Sequence, residues 1–135
     1  MARSLLFLAI VFSNCTTDVL PPKNALKFAL TKVTPQAGDS LYPVFPNPFN
    51  RTVGDTTLFI RFALKDTGTV TVLVQNALGD AVAQYSDTLP DQGFYAAIWD
   101  PLAADGTRLN AGVYFVTLHT SNYVNSRLVN IEQNE

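Results

Sequence analysis

The sequence contains very few of the side chains that usually carry chemistry. Among its 135 residues there is one cysteine, Cys15, and one histidine, His119. A single cysteine cannot form an internal disulfide, and a lone histidine without neighbouring ligands makes neither a metal site nor a catalytic set. The chain also lacks a nucleophile elbow and a glycine-rich phosphate loop. We therefore expect no enzyme activity, no metal, no cofactor and no small-molecule substrate.

An excess of charge of one sign is also missing. Nine basic and 11 acidic side chains give a net charge of −2, and both signs are mixed along the chain. No basic stripe is present to displace counterions from phosphates, which argues against nucleic acid as a partner. The apolar fraction of 47% is too high for a disordered chain and ordinary for a globular one. A length of 135 residues is enough for one domain together with a signal and a linker.

No hydrophobic run near the N-terminus is long enough to span a membrane. The run from Leu5 to Phe12 has eight residues, whereas a bilayer needs about 20. It follows the positive Arg3 and suits the apolar region of a secretory signal. Phe12-Ser13-Asn14-Cys15 comes next, and together these residues resemble a bacterial lipoprotein signal.

That resemblance implies that residues 1–14 are removed and that Cys15 is acylated. It also implies an outer-membrane address, since Thr16 rather than aspartate follows the cysteine. The alternative is an ordinary signal peptide with an incidental cysteine. Residues 15–40 are predicted to be a tether, because prolines and Gly38 interrupt them. Within the tether, residues 24–33 fit neither helical nor strand periodicity. The sequence leaves two alternatives for them, a short helix or an edge strand.

From residue 41 to residue 135 the pattern predicts an all-β domain. Apolar positions alternate with polar ones in short runs separated by glycine, proline and aspartate turns. The predicted strands are Thr56–Leu64, Thr69–Gln75, Ala81–Tyr85, Phe94–Trp99, Val113–His119 and Asn125–Ile131. About seven strands at this spacing, without amphipathic helices between them, indicate an immunoglobulin-like antiparallel β-sandwich. Trp99 and Tyr114 are expected in its core, and the loop residues Asp91, Asp100 and Asp105 are expected to close turns.

Several motifs in fixed order point to a family. They are Tyr42-Pro43, Asn47-Pro48-Phe49-Asn50, Asn76-Ala77-Leu78-Gly79, Trp99-Asp100, Asp105-Gly106 and Gly112-Val113-Tyr114-Phe115. The stretch from residue 41 to residue 131 resembles the type A C-terminal sorting domain of type IX secretion cargo, and also the immunoglobulin-like domain of flagellar hook-capping proteins. The resemblance implies a fold of this class and a role in cell-surface delivery. Those sorting domains usually end in a basic strand, whereas this chain ends in an acidic segment, residues 129–135.

The sequence therefore favours a non-catalytic, lipid-anchored protein of the bacterial envelope that presents a β-sandwich to a protein partner, periplasmic or surface-facing. The alternatives are a type IX sorting module and, last, a hook-cap-like scaffold. Edge strands are natural docking sites, and the predicted edges are Ala81–Tyr85 and Asn125–Ile131. Candidate partner-binding residues are Asn47, Phe49 and Asn50 of the proline-rich motif, and Arg127, Val129 and Ile131 of the last strand. For Phe49 a place in the core is the favoured interpretation.

Overall fold

Two β-sheets lie face to face in the structure, a computed structural model that describes residues 26–134. The nine strands are β1 (Leu26–Val33), β2 (Ser40–Leu41), β3 (Phe49–Asn50), β4 (Leu58–Leu64), β5 (Gly68–Asn76), β6 (Ala81–Leu89), β7 (Gly93–Trp99), β8 (Gly112–His119) and β9 (Val124–Gln133). A short 3-10 turn, Arg51–Val53, follows β3. The predicted all-β, immunoglobulin-like sandwich is confirmed.

The four-stranded sheet has the order β1-β7-β4-β2, and the five-stranded sheet has the order β3-β9-β8-β5-β6. All neighbouring strands are antiparallel except β3 and β9, which are parallel. This pair is a correction to the antiparallel prediction. A strand of two residues has no readable periodicity, so β2 and β3 could not be recognised from the sequence.

Strand alternation places the core as the sequence predicts. Leu58, Ile60 and Phe62 of β4 are fully buried, and so are Val70, Val72 and Val74 of β5. Successive side chains on a strand point to opposite faces, so these residues line the space between the sheets. Trp99 is also completely buried, and its indole Nε1 donates to the Tyr85 hydroxyl at 3.2 Å.

The predicted tether is too long. Residues 26–33 form β1, which pairs with β7 along the edge of the four-stranded sheet. The sequence left a short helix and an edge strand as alternatives for this segment, and the structure shows the edge strand. Leu26 is buried and Phe28 packs against the core, so the segment belongs to the sandwich. Residues 1–25, with the signal peptide and Cys15, lie outside the described residues.

Two tyrosines form hydrogen bonds between strands and loops at the ends of the sandwich. The Tyr95 hydroxyl donates to the Asp91 carbonyl at 2.6 Å, and the Tyr114 hydroxyl donates to the Asn110 carbonyl at 2.7 Å. Each bond reaches back four residues, as in the tyrosine corner of immunoglobulin-like folds. Burial raises the pKa of both hydroxyls above the ordinary value, so both stay protonated and able to donate at neutral pH.

Candidate functional site

The six predicted partner-binding residues do come together, along the seam where β3 meets β9. However, Phe49, Val129 and Ile131 are completely buried. Their side chains fill the core, which is a correction for these three candidates and confirms the favoured interpretation of Phe49. The alternation of β9 causes this, because residues 129 and 131 share the face that looks toward the other sheet.

Asn47 occupies the position of a missing neighbouring strand beside β9. Its side-chain amide donates to the Leu128 carbonyl at 3.1 Å, and its carbonyl accepts from the Asn130 amide at 2.9 Å. One asparagine side chain thus satisfies a donor and an acceptor that an adjacent strand would otherwise bind. Next to it, β3 pairs with Ile131 and Gln133. The edge of β9 is therefore closed from Leu128 onward, contrary to the predicted docking edge.

Asn50 and Arg127 are likewise committed to internal bonds. Asn50 caps the 3-10 turn by accepting from the Thr52 amide at 2.8 Å, and it donates to Glu132 at 3.0 Å. Arg127 donates from Nε and from a terminal nitrogen to the Leu41 carbonyl, at 3.0 and 2.7 Å. That contact joins β9 to β2 and closes the side of the sandwich. The polar candidates hold the fold together, and their use by a partner remains a prediction.

The other predicted edge, β6, is open over most of its length. Within residues 26–134, β6 pairs with β5 alone. The Val82 carbonyl points away from β5, since it accepts from the Ala104 amide at 2.9 Å. Backbone groups of alternate residues point to the same side of a strand, so those of Gln84 and Ser86 face the open side as well. This stretch presents backbone donors and acceptors to a further strand.

The outer face of the five-stranded sheet adjoins this edge, and among the described residues it carries no lysine or arginine. Its one carboxylate, Glu132, lies on β9, three strands away from β6. The other side chains are Gln84, Ser86 and Thr88 of β6; Thr69, Thr71, Leu73 and Gln75 of β5; Val113, Phe115, Thr117 and His119 of β8; and Val124, Ser126, Leu128 and Asn130 of β9. Its centre is apolar, with Phe115 37% and Leu128 50% exposed. Cross-strand hydroxyl pairs surround that centre, such as Thr71 with Ser86 at 2.8 Å.

The acidic loop residues do not assemble a site. Asp100 forms an ion pair with Arg51, and Asp105 accepts from the amide and hydroxyl of Thr107 at 3.0 and 2.6 Å. These bonds to Thr107 hold the pKa of Asp105 below its usual value. No group of three metal-binding side chains occurs in the described part of the chain. His119 is exposed at the end of β8, as expected.

Among residues 26–134, no helix has the length and apolarity needed to cross a bilayer. No family model matches the sequence, and neither does any curated protein.

Two solved structures from Porphyromonas gingivalis are similar to this chain to different degrees. PorU, solved as a latent dimer, aligns with 73% of this chain at 14% identity and a TM-score of 0.54, and the alignment covers 10% of PorU. PorZ, described as an essential bacterial surface component of the type IX secretion system, aligns with 70% of this chain at 21% identity and a TM-score of 0.48, and the alignment covers 12% of PorZ. The chain therefore spans about a tenth of each protein. The match to PorU shows that the sandwich seen here also occurs within a much larger protein.

Proposed function

We propose that this protein is a non-catalytic, lipid-anchored envelope module that binds an extended segment of a protein partner along β6. The observation that carries the proposal is the open edge of β6, which adjoins a sheet face that has no charged side chain on β5 or β6. An added strand gains its affinity from main-chain hydrogen bonds, and neighbouring side chains supply selectivity. Cys15, when acylated, holds the module at a membrane.

The composition of the sheet face next to β6 suits such a partner. A segment that lies over Gln84 and Ser86 desolvates no charged side chain there, and unpaired buried charges are the costliest groups at an interface. The apolar centre around Phe115 and Leu128 offers further contact area. At one end of β6 stands Asp87, which is exposed although it pairs with the buried Val70. An inward-pointing charge on an edge strand opposes indiscriminate pairing, and the Val82 carbonyl is already bonded to the Ala104 amide, so we expect docking to concentrate on residues 84–86.

The test is a proline at the open edge. Ser86→Pro removes one outward-facing amide and the hydroxyl contact with Thr71, but no main-chain bond to β5, and proline is tolerated on edge strands in such positions. We expect co-purification of the partner from native membranes to fall at least tenfold, while the midpoint of unfolding changes little. Thr71→Pro, in the central β5, is the contrasting variant, because it breaks a ladder bond and should unfold the domain. Undiminished partner recovery with folded Ser86→Pro would contradict docking at β6.

A sorting module of the type IX kind is the second candidate. The ordered motifs favour it, because together they resemble those of a type IX sorting domain. A reporter fused ahead of this domain should reach the cell surface in a host that has the secretion machine, and should stay inside a host that lacks it. The fusion has to carry residues 26–135, since removal of β1 would expose β7. Retention of the reporter in both hosts would exclude the candidate.

A further inference from the structure

The outer face of the four-stranded sheet carries charge of one sign. Lys27 and Lys32 of β1 and Arg61 of β4 are exposed, and the register puts them on this face, beside Ile98, Phe94 and Ala96 of β7. The other outward residues of β1, β4 and β7 are alanines, phenylalanines, Ile98 and Thr31. We call this surface the cationic face.

Aromatic rings lie between these cations. The Arg61 guanidinium carbon stands 4.6 Å from the centre of the Phe45 ring, and Phe45 stacks on Phe59 with 5.1 Å between ring centres. Phe45 remains 40% exposed. Across the sheet, Tyr42 and Phe94 approach to 6.4 Å. Aromatic rings beside lysine and arginine are typical of surfaces that meet the headgroup region of a bilayer.

An open groove crosses the cationic face. It has a volume of about 350 Å³, and its walls include Lys32, Tyr42, Arg61 and Phe94. Acidic side chains lie in the loops at the strand ends, as Asp66 and Asp91 do. The face itself has no carboxylate among the residues described. A negatively charged surface would therefore meet only attractive charges there.

The path of the chain connects this face to the proposed anchor. The described structure begins at Leu26, the first residue of β1, and β1 is the outer strand of this same sheet. Ten residues separate Cys15 from Leu26. Even when fully extended, this segment reaches no more than about 40 Å. A membrane that held Cys15 would lie within reach of the cationic face.

We propose that the cationic face lies against an anionic lipid surface and that Lys27, Lys32 and Arg61 bind lipid phosphates. The breadth of the face, its aromatic and cationic composition and the nearby chain entry favour lipid over an acidic protein. The proposal depends on the proposed anchor only for the reach of the chain. The β6 edge lies on the other sheet, so lipid and partner would be bound at separate places.

The test measures binding of the full chain carrying Cys15→Ser to vesicles of phosphatidylcholine with 30% phosphatidylglycerol. This protein cannot be acylated, so binding reports on the face and not on the anchor. We expect binding that weakens with salt and is lost on pure phosphatidylcholine. Adding Lys27→Gln with Lys32→Gln should weaken it at least tenfold, because each cation near an anionic surface contributes roughly fivefold. Phe45→Ser should weaken it further.

The matched control is Lys65→Gln with Arg108→Gln, which removes the same charge from exposed loop positions. It should leave binding within about twofold. Equal losses in both double variants, or equal binding to vesicles with and without phosphatidylglycerol, would overturn the proposal. Stronger binding to polyglutamate than to the vesicles would reassign the face to an acidic protein. The anchor is tested separately, by the intact mass of wild-type protein from native membranes.

Discussion

Replacing Trp99 with alanine is expected to lower the free energy of unfolding by about 3–5 kcal/mol. Trp99 is completely buried between the sheets and pairs with Leu26 of β1 and Leu58 of β4. Its removal leaves a cavity that strands on both sides cannot fill without shifting. A small domain is stable by only about 5–15 kcal/mol, so the variant should be marginal. Chemical denaturation followed by circular dichroism measures the change.

Tyr85→Phe is the matched variant for this experiment. It keeps the ring and deletes the hydroxyl that accepts from the Trp99 indole nitrogen. Burial is the main cause of the raised pKa of Tyr85, so the hydroxyl is neutral and its loss should cost about 1 kcal/mol. If Trp99→Ala cost no more than Tyr85→Phe, the indole would not be the centre of the core.

Gly93→Ala is expected to disrupt the attachment of β1. Gly93 opens β7 at a φ of +148°, and an added Cβ would lie 2.1 Å from the Lys32 carbonyl oxygen. The backbone conformation alone costs a non-glycine residue about 1–3 kcal/mol. The clash is with backbone and cannot be relieved by rotating a side chain, so β1 must move away from β7. We expect a loss of at least about 3 kcal/mol in stability and faster hydrogen exchange of the β1 amides.

Gly68→Ala separates the clash from the conformational strain. Gly68 opens β5 at a φ of +151°, but no atom lies within 4 Å of the position of its Cβ. The two variants therefore share the strain and differ in the clash. Gly93→Ala should be less stable by about 2 kcal/mol or more, with the extra exchange confined to β1 and β7. Equal stabilities, or exchange unchanged in β1, would show that β1 does not pack as described.

The sequence predicted the long strands of the sandwich well, because the alternation of apolar and polar side chains is visible within each strand. A period of two indicates which side chains face inward. The predicted inner faces are buried in three long strands, Leu58–Leu64, Gly68–Asn76 and Gly112–His119. Glycine and aspartate between them mark the turns. The long strands of the fold could therefore be placed to within a few residues, with β6 extending four residues beyond its predicted end.

The first strand could not be predicted because its pattern is interrupted. The pairing of β1 with β7 shifts register between Leu30 and Lys32. This irregularity puts Phe28 and Leu30 on the inner side and Lys32 on the outer side, so the spacing of apolar residues is no longer two. The segment is a strand because it pairs with the edge of β7. The residues of β7 lie some sixty positions further along the chain, so no local pattern in β1 predicts this pairing.

The sequence by itself determined the class of fold and the inner faces of the long strands. Only the tertiary structure decided which edge is available. Asn47 closes β9 from more than eighty residues away, and Phe49 enters the core beside Ile131. Within residues 26–134, β6 has a neighbouring strand on one side only. Pairing between distant strands depends on how the sheets close, and no local pattern of residues encodes that closure.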